Sequence, residues 1–252
     1  MTDPEIRIKD ISSHEEKALR ERFAEHFAAC PIPRDELLRN LGLFVKWQDL
    51  ARILFMDDLY RRIVEVPGVI LELGVRWGQN LALFSALRTI YEPFNHNRRV
   101  IGFDTFAGFT SVHAKDGTDD IMREGSYGVT EGYADYLDAV LDYHERESPR
   151  PHIAKHELIT GDAAVELPEY LERNPQTIVA LAYFDLDLYE PTKRCLEALR
   201  GHMTRGSVLA FDELNLRDFP GETVALKETL GLDRFHLRRN RFSGVNAFLV
   251  IE

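Results

Sequence analysis

Two short segments gather acidic side chains where apolar runs end. AYFDLDLYEPT (182–192) carries Asp185 and Asp187, and SVLAFDELN (207–215) carries Asp212 and Glu213. If the apolar runs are neighbouring parallel strands, their ends lie side by side. Alternation along a strand predicts that Asp185 and Asp187 point to one side. Like charges held that close are costly unless a proton or a cation separates them. Three or four carboxylates converging at one sheet edge form an all-oxygen site suited to Mg²⁺ or another hard divalent cation. Strand-end acids also cap helix N-termini, and Asp187 or Glu213 taken alone could do only that. The ensemble is better explained by a cation.

A second constellation lies upstream. In ILELGVRWGQNLALFSAL (70–87) an apolar run ends in Glu72-Leu-Gly74, and a helical pattern starts after Gly78 with Gln79 and Asn80. Glycines let the backbone turn sharply and pass close to a ligand. The Gly74-x-x-x-Gly78 spacing differs from the glycine fingerprint that brings helix N-terminal amides onto a pyrophosphate. An acidic E-x-G-x-x-x-G loop suits a ligand with a sulfonium and an amino-acid end, S-adenosylmethionine (SAM).

The next apolar run, RVIGFDTFAGF (99–109), delivers Asp104 to a strand end, where an acid can hold both ribose hydroxyls of an adenosyl group. The third ends in Gly161-Asp162-Ala163, where the Asp can meet the adenine edge. Cofactor contacts are therefore expected at Glu72, Gly74, Val75, Arg76, Trp77, Gly78, Asn80, Asp104, Thr105, Phe106, Gly161, Asp162 and Ala163, with Asp185 near the methyl group. Each of these alone reads as well as a strand-end turn with a capping acid. Three successive strands ending alike carry the reading. Trp77 covers the cofactor or packs on the first helix of the sheet.

Together the two constellations suggest methyl transfer to an alcohol, which is an in-line displacement at the sulfonium methyl. A neutral alcohol is a poor nucleophile, so a divalent ion chelating two adjacent hydroxyls would lower the pKa of one. A carboxylate would then take the proton. Asp185 and Asp187 are the catalytic candidates, with Asp185 also a metal ligand.

These residues need elements to hold them. Residues 1–66 read as a helical extension, because HEEKALRERFAEHFAA (14–29) and WQDLARILFMDDLYRRIVEV (47–66) repeat apolar residues three and four apart. Pro31, Pro33 and Pro67-Gly68 punctuate them. From Val69 onward, short runs apolar on both faces alternate with helical stretches, which predicts a parallel sheet covered on both sides. FHLRRN (235–240) and VNAFLVIE (245–252) predict a closing antiparallel hairpin. Residues 67–252 are thus expected to form one catalytic domain, with residues 107–155 as an insertion too long for a simple connection. In that insertion His113, Tyr127, Tyr133, Tyr136 and His144 are candidates to line an acceptor pocket. Helical spacing in YADYLDAVLDY (133–143) sends Tyr136 to the core instead; for His113 and Tyr127 the two readings balance. The basic run Leu237–Arg241 is expected to be a solvated strand or an interface.

The motifs ELGVRWGQN, GFDTFAGF, FDLDLYEPT and AFDELN, spread over roughly residues 65–225, resemble the macrocin-type O-methyltransferases. That resemblance implies a Rossmann-like class I α/β fold with a mostly parallel seven-stranded sheet. It implies metal- and SAM-dependent methylation of an antibiotic sugar. Position by position, it implies metal ligands at Asp185, Asp212 and Glu213, with SAM contacts at Glu72, Gly74, Asp104 and around Asp162. Two departures stand out. Asp104-Thr105-Phe106-Ala107-Gly108 replaces a pattern with Ser and Glu, and Glu213 replaces the commoner Asp, so a longer acid reaches the ion. Residues 109–149 match nothing in the pattern, which leaves acceptor specificity open.

Other classes compete. A catechol or phenol O-methyltransferase would use the same carboxylates in a flatter pocket. A glycosyltransferase could hold Mn²⁺ with Asp185-x-Asp187, but then Glu72, Gly74 and Asp104 have no common purpose. A SAM-binding protein without catalysis would not need both acid clusters. The balance of 31 basic against 42 acidic residues, net −11, argues against nucleic acid or an anionic membrane as partner. With two cysteines, Cys30 and Cys195, no disulfide framework or cysteine metal site is possible. The charged N-terminus and the absence of a long apolar stretch point to the cytoplasm. The apolar content of the N-terminal segment exceeds what one sheet face needs and suggests a homo-oligomer.

Overall fold

A computed structural model describes residues 12–252; residues 1–11 of the expected N-terminal extension lie outside the described residues. Five apolar segments form parallel strands: β1 (Val69–Leu73), β2 (Val100–Asp104), β3 (His156–Thr160), β4 (Val179–Phe184) and β5 (Met203–Phe211). β6 (Arg238–Arg239) and β7 (Ala247–Val250) close the sheet as the antiparallel pair the sequence predicts. The strand order is β3-β2-β1-β4-β5-β7-β6. β1, β4 and the inner half of β5 are buried on both faces, as expected of strands sandwiched between helices.

Alternation along each strand divides the core in two. Val69, Leu71, Leu73, Ile101 and Phe103 face α6 (Ala163–Arg173), α7 (Tyr189–Ala198) and α8 (Gly221–Thr229). Ile70, Val100, Tyr183, Val208 and Phe248 face α3 (Trp47–Ile63), α4 (Gln79–Tyr91) and α5 (Tyr133–Glu147). Register aligns the strand ends: Leu73 pairs with Phe103 and Phe184, and Phe184 with Phe211. Gly74, Asp104, Asp185 and Asp212 each come one residue after that row. The sequence direction reverses between β1 and β4, which is the place where such sheets leave a crevice.

The N-terminal helices behave differently along their length. α1 (His14–Ala28) has a capping box between Ser13 and Glu16 but buries no residue. After it come α2 (Arg34–Leu37) and a 3₁₀ segment, Leu38–Leu43, equally unburied. The C-terminal half of α3 is core, with Phe55, Met56, Leu59, Tyr60 and Ile63 buried. Arg98 clamps that end. Its guanidinium donates to the carbonyls of Ile63 (2.8 Å), Val66 (2.7 Å) and Gly68 (2.6 Å), and to Glu92 (2.8 Å). These carbonyls lie at and just beyond the helix end, where no intrahelical donor remains.

Within the insertion, α5 packs on α4 through Leu137 and Leu141. Beneath it Glu145 is buried against Arg88 and Lys155; Lys155 Nζ lies 3.1 Å from its carboxylate. Tyr136 corrects the sequence reading: it is 64% exposed and leans on Tyr133 rather than entering the core. The inward stripe of α5 is Leu137, Leu141 and Glu145, which leaves its neighbour Tyr136 on the outer side. His144 stays on α5 beside Tyr143, outside the cavity wall. No helix among the described residues is long and apolar enough to cross a membrane.

Candidate active site

A cavity of about 390 Å³ opens at the carboxyl ends of the strands. Its wall includes Gly74, Val75, Arg76, Trp77, Gly78, Asn80, Asp104, Thr105, Gly161, Asp162, Ala163, Asp185, Asp187, Asp212 and Glu213. The two constellations read from the sequence therefore share one chamber. Glu72 and Phe106 do not line it. Glu72 is 1% exposed and stands behind the wall, where Oε1 accepts from Asn80 Nδ2 at 2.9 Å and Oε2 has no hydrogen-bond partner among the described residues. Burial pushes its pKa up to about 8, against the pull of Asn80 and Arg52.

The glycine loop is held from two sides. Gly74 sits at φ +88°, and its amide donates to the Phe103 carbonyl at 2.9 Å. A Cβ there would lie 1.9 Å from the Asp185 carbonyl oxygen, so only glycine lets β1 and β4 leave the sheet this close together. From the other side Asp104 braces the loop. Its Oδ2 accepts from the amides of Val75 (2.6 Å) and Arg76 (2.8 Å), and its Oδ1 accepts from Phe106 (2.6 Å). A carboxylate has about four lone-pair sites, so one remains for a ribose hydroxyl. Asp162 caps α6 through Ala164 N at 2.9 Å while still facing the cavity. Capping, posed from the sequence as the alternative to a ligand role, does not take this residue out of the cavity wall. Trp77 likewise meets Tyr133 edge-on at 4.6 Å and still lines the chamber.

The acidic side departs from one expectation. β4 ends at Phe184, and Asp187 has φ +62°, so strand alternation does not place Asp185 and Asp187. A left-handed turn brings both to the cavity. Nor does Asp187 cap α7, whose N-cap is Leu188. Asp187 is 8% exposed, and burial with the charges of Asp212 and Asp116 lifts its pKa to about 7. Burial, Asp187 and Asp212 push Glu213 up to about 8. Asp185 is raised by burial and by Asp212, although its side chain keeps 30% exposure toward the chamber.

Several residues of this site left no mark in the sequence. Arg52 of α3 reaches Asp212 (Nη2–Oδ1 3.3 Å) and approaches Asp185 (Nη1–Oδ2 3.8 Å). Tyr183 and Asn246 both donate to Asp212 Oδ1, the latter at 2.9 Å. Fully buried Glu222 of α8 accepts from the amides of Leu186 (3.1 Å) and Glu213 (3.4 Å). From the insertion, Phe109, which the sequence did not single out, and Tyr127, for which pocket and core readings balanced, both line the wall and pack on each other at 5.4 Å. His113 is exposed and rests on Tyr189.

A divalent cation can be tested against this donor set. The carboxylates are hard oxygens, their ionised forms repel one another, and Glu213 Oε2 is buried without a hydrogen-bond partner among the described residues. The chemistry fits. As they stand, though, no three acidic, His or Cys side chains among the described residues are gathered as a cation cage.

Neither a protein-family model nor a curated protein sequence matches this chain. Solved structures do. The crystal structure of CalS11, calicheamicin methyltransferase, is 43% identical over 98% of both chains, with a TM-score of 0.92. The apo structure of CalS11, described as a TDP-rhamnose 3'-O-methyltransferase of calicheamicin biosynthesis, matches at 43% identity over 96% of both chains (TM-score 0.84). The O-methyltransferase NovP, 18% identical over 80% of this chain and 79% of its own, shares the fold at a TM-score of 0.60. With two-fifths of its residues shared across nearly its whole length, the chain belongs to the family of the calicheamicin methyltransferase and is a SAM-dependent O-methyltransferase.

Proposed function

We propose that this enzyme methylates a hydroxyl of a deoxysugar in antibiotic biosynthesis, with Mg²⁺ or another divalent cation held by Asp185, Asp212 and Glu213. The observation that carries the reading is the convergence of four carboxylates on the chamber that the glycine loop bounds. The similarity to CalS11 supports the sugar. When bound, the cation would acidify and orient a sugar hydroxyl.

The chain's own residues supply the rest. Gly74–Gly78, Asn80, Asp104, Thr105 and Gly161–Ala163 hold the cofactor, and Glu72 supports Asn80 from behind. Phe109 and Tyr127 bound the acceptor side. Asp185 and Asp187 are the two carboxylates placed to accept the hydroxyl proton. The oxygen's electron pair forms the new bond to the methyl carbon while the carbon–sulfur bond breaks, leaving its pair on sulfur as S-adenosylhomocysteine. The helices before Pro67 act as an extension of this catalytic domain. Their exposed Leu38, Leu43 and Trp47 pack on a second copy of the chain, a claim that a monomeric mass by light scattering refutes.

The test is transfer from methyl-labelled SAM to TDP-deoxysugars, glycosylated natural products and catechols, with Mg²⁺ or with EDTA. Sugar methylation lost in EDTA and restored by Mg²⁺ is expected. Catechol methylation alone, or undiminished transfer in EDTA, overturns the reading.

A further inference from the structure

We propose that Arg52 is a removable counter-ion that stands in for the divalent cation between Asp185 and Asp212, so that metal and guanidinium compete for the same oxygens. The inference rests on the cation reading above and concerns a residue outside the carboxylate motifs.

Three observations converge. First, Asp212 has its two oxygens differently employed. Oδ1 accepts from Tyr183 and Asn246 and also lies 3.3 Å from Arg52 Nη2, whereas Oδ2 has Arg52 as its only hydrogen-bond partner among the described residues, at 3.4 Å. The oxygen left for a cation is the one Arg52 holds. Second, Arg52 spans two acids of the same cluster, standing 3.3 Å from Asp212 and 3.8 Å from Asp185. Charge-assisted pairs normally close to about 2.7–2.9 Å. These contacts are loose, and the Arg52 side chain is 35% exposed, so the guanidinium can leave without breaking a tight fork. Third, the backbone under Arg52 is fixed, one turn before the buried Phe55 and Met56 on a helix whose far end Arg98 clamps. Only the flexible side chain needs to move.

A hard divalent ion takes carboxylate oxygens at about 2.0–2.6 Å and cannot share that space with a guanidinium. Loading the cation therefore displaces Arg52, and without the cation Arg52 neutralises part of a four-carboxylate cluster. The attraction that steadies the metal-free enzyme weakens its grip on metal.

The experiment is calorimetric titration of the full chain, with S-adenosylhomocysteine bound, by Mn²⁺ and by Mg²⁺. Arg52→Gln is expected to lower the metal dissociation constant at least tenfold, and Arg52→Lys to stay near wild type. In EDTA, Arg52→Gln should unfold at a lower temperature than wild type, with the gap closing when Mn²⁺ is added. In the wild-type chain, Mg²⁺ should shift the NMR signal of the Arg52 Nε–H; this holds whether or not a variant folds. Metal affinity equal to or weaker than wild type in Arg52→Gln, or an unmoved Arg52 signal, overturns the proposal. If metal binding disappears in Asp185→Asn yet is unchanged in Arg52→Gln, the competition alone is wrong. If neither wild type nor Arg52→Gln binds metal, the cation reading falls, and the proposal with it.

Discussion

Replacing Gly74 by Ala tests how tightly the cofactor loop and the catalytic strand end are coupled. The added Cβ would lie 1.9 Å from the Asp185 carbonyl oxygen and 2.6 Å from its carbon, well inside the 3.0 Å that real Cβ atoms respect. Neither backbone can simply withdraw. Gly74 N is bonded to the Phe103 carbonyl at 2.9 Å, and Asp185 N to the Leu73 carbonyl at 2.8 Å. A left-handed φ costs an alanine about 1–2 kcal/mol, and forced overpacking adds about 1–3 kcal/mol. The sum, roughly 2–5 kcal/mol, corresponds to a fall in Tm of roughly 4–20 °C for a domain of this size. Relief of the overlap moves Asp185 by about 1 Å, a displacement that can cost about 10²-fold in turnover. Differential scanning calorimetry and kcat measured at saturating SAM, below the melting transition, check both halves. A variant with wild-type Tm and kcat would show that the contact is not what requires glycine here.

Two further predictions concern the brace and the buried ion network. Asp104→Asn puts an amide donor where the carboxylate accepts from three backbone amides, with hydrogen bonds to charged groups worth about 1.5–3 kcal/mol each. It should lower Tm and weaken S-adenosylhomocysteine binding at least about tenfold by calorimetry; unchanged affinity would remove Asp104 from the cofactor site. Burial opposes ionisation of Glu145, but His156, Arg88 and Lys155 outweigh it and hold its pKa at about 2. A depressed carboxylate stabilises the fold above its unfolded value near 4.5 and loses that contribution as pH falls toward 2. For His156, burial lowers the pKa, but Glu145 and Asp138 raise it further. Its contribution is thus complete below its ordinary 6.5 and fades as pH climbs through the raised value. The stability gap between wild type and Glu145→Gln should accordingly shrink between about pH 5 and pH 2 in urea melts; a constant gap would refute the assignment.

Much of this architecture was legible because burial on both faces writes itself into sequence. Runs such as VILEL and VALAYF have no polar alternation to confuse with a surface strand, and the acids and glycines that follow them mark where each strand stops. Strand alternation misled for Asp187, because a left-handed turn intervenes that the residue type does not announce. Tyr136 misled because apolar spacing in α5 fits two neighbouring stripes, and Leu137 and Leu141 took the inner one. Arg52, Asn246 and Glu222 were invisible for a different reason. Each reaches the site from an element distant in sequence from the acids it serves, and no local periodicity encodes such an encounter.

The clamp formed by Arg98 bears on how the helix carrying Arg52 responds to load. α3 is a cantilever, anchored at Ile63, braced in its middle by Phe55 and Met56, and unsupported at Trp47, which is 72% exposed. A push at the free tip is felt least at the anchor and only slightly at Arg52, near the point of support. The lever therefore insulates the carboxylates from load applied at Trp47.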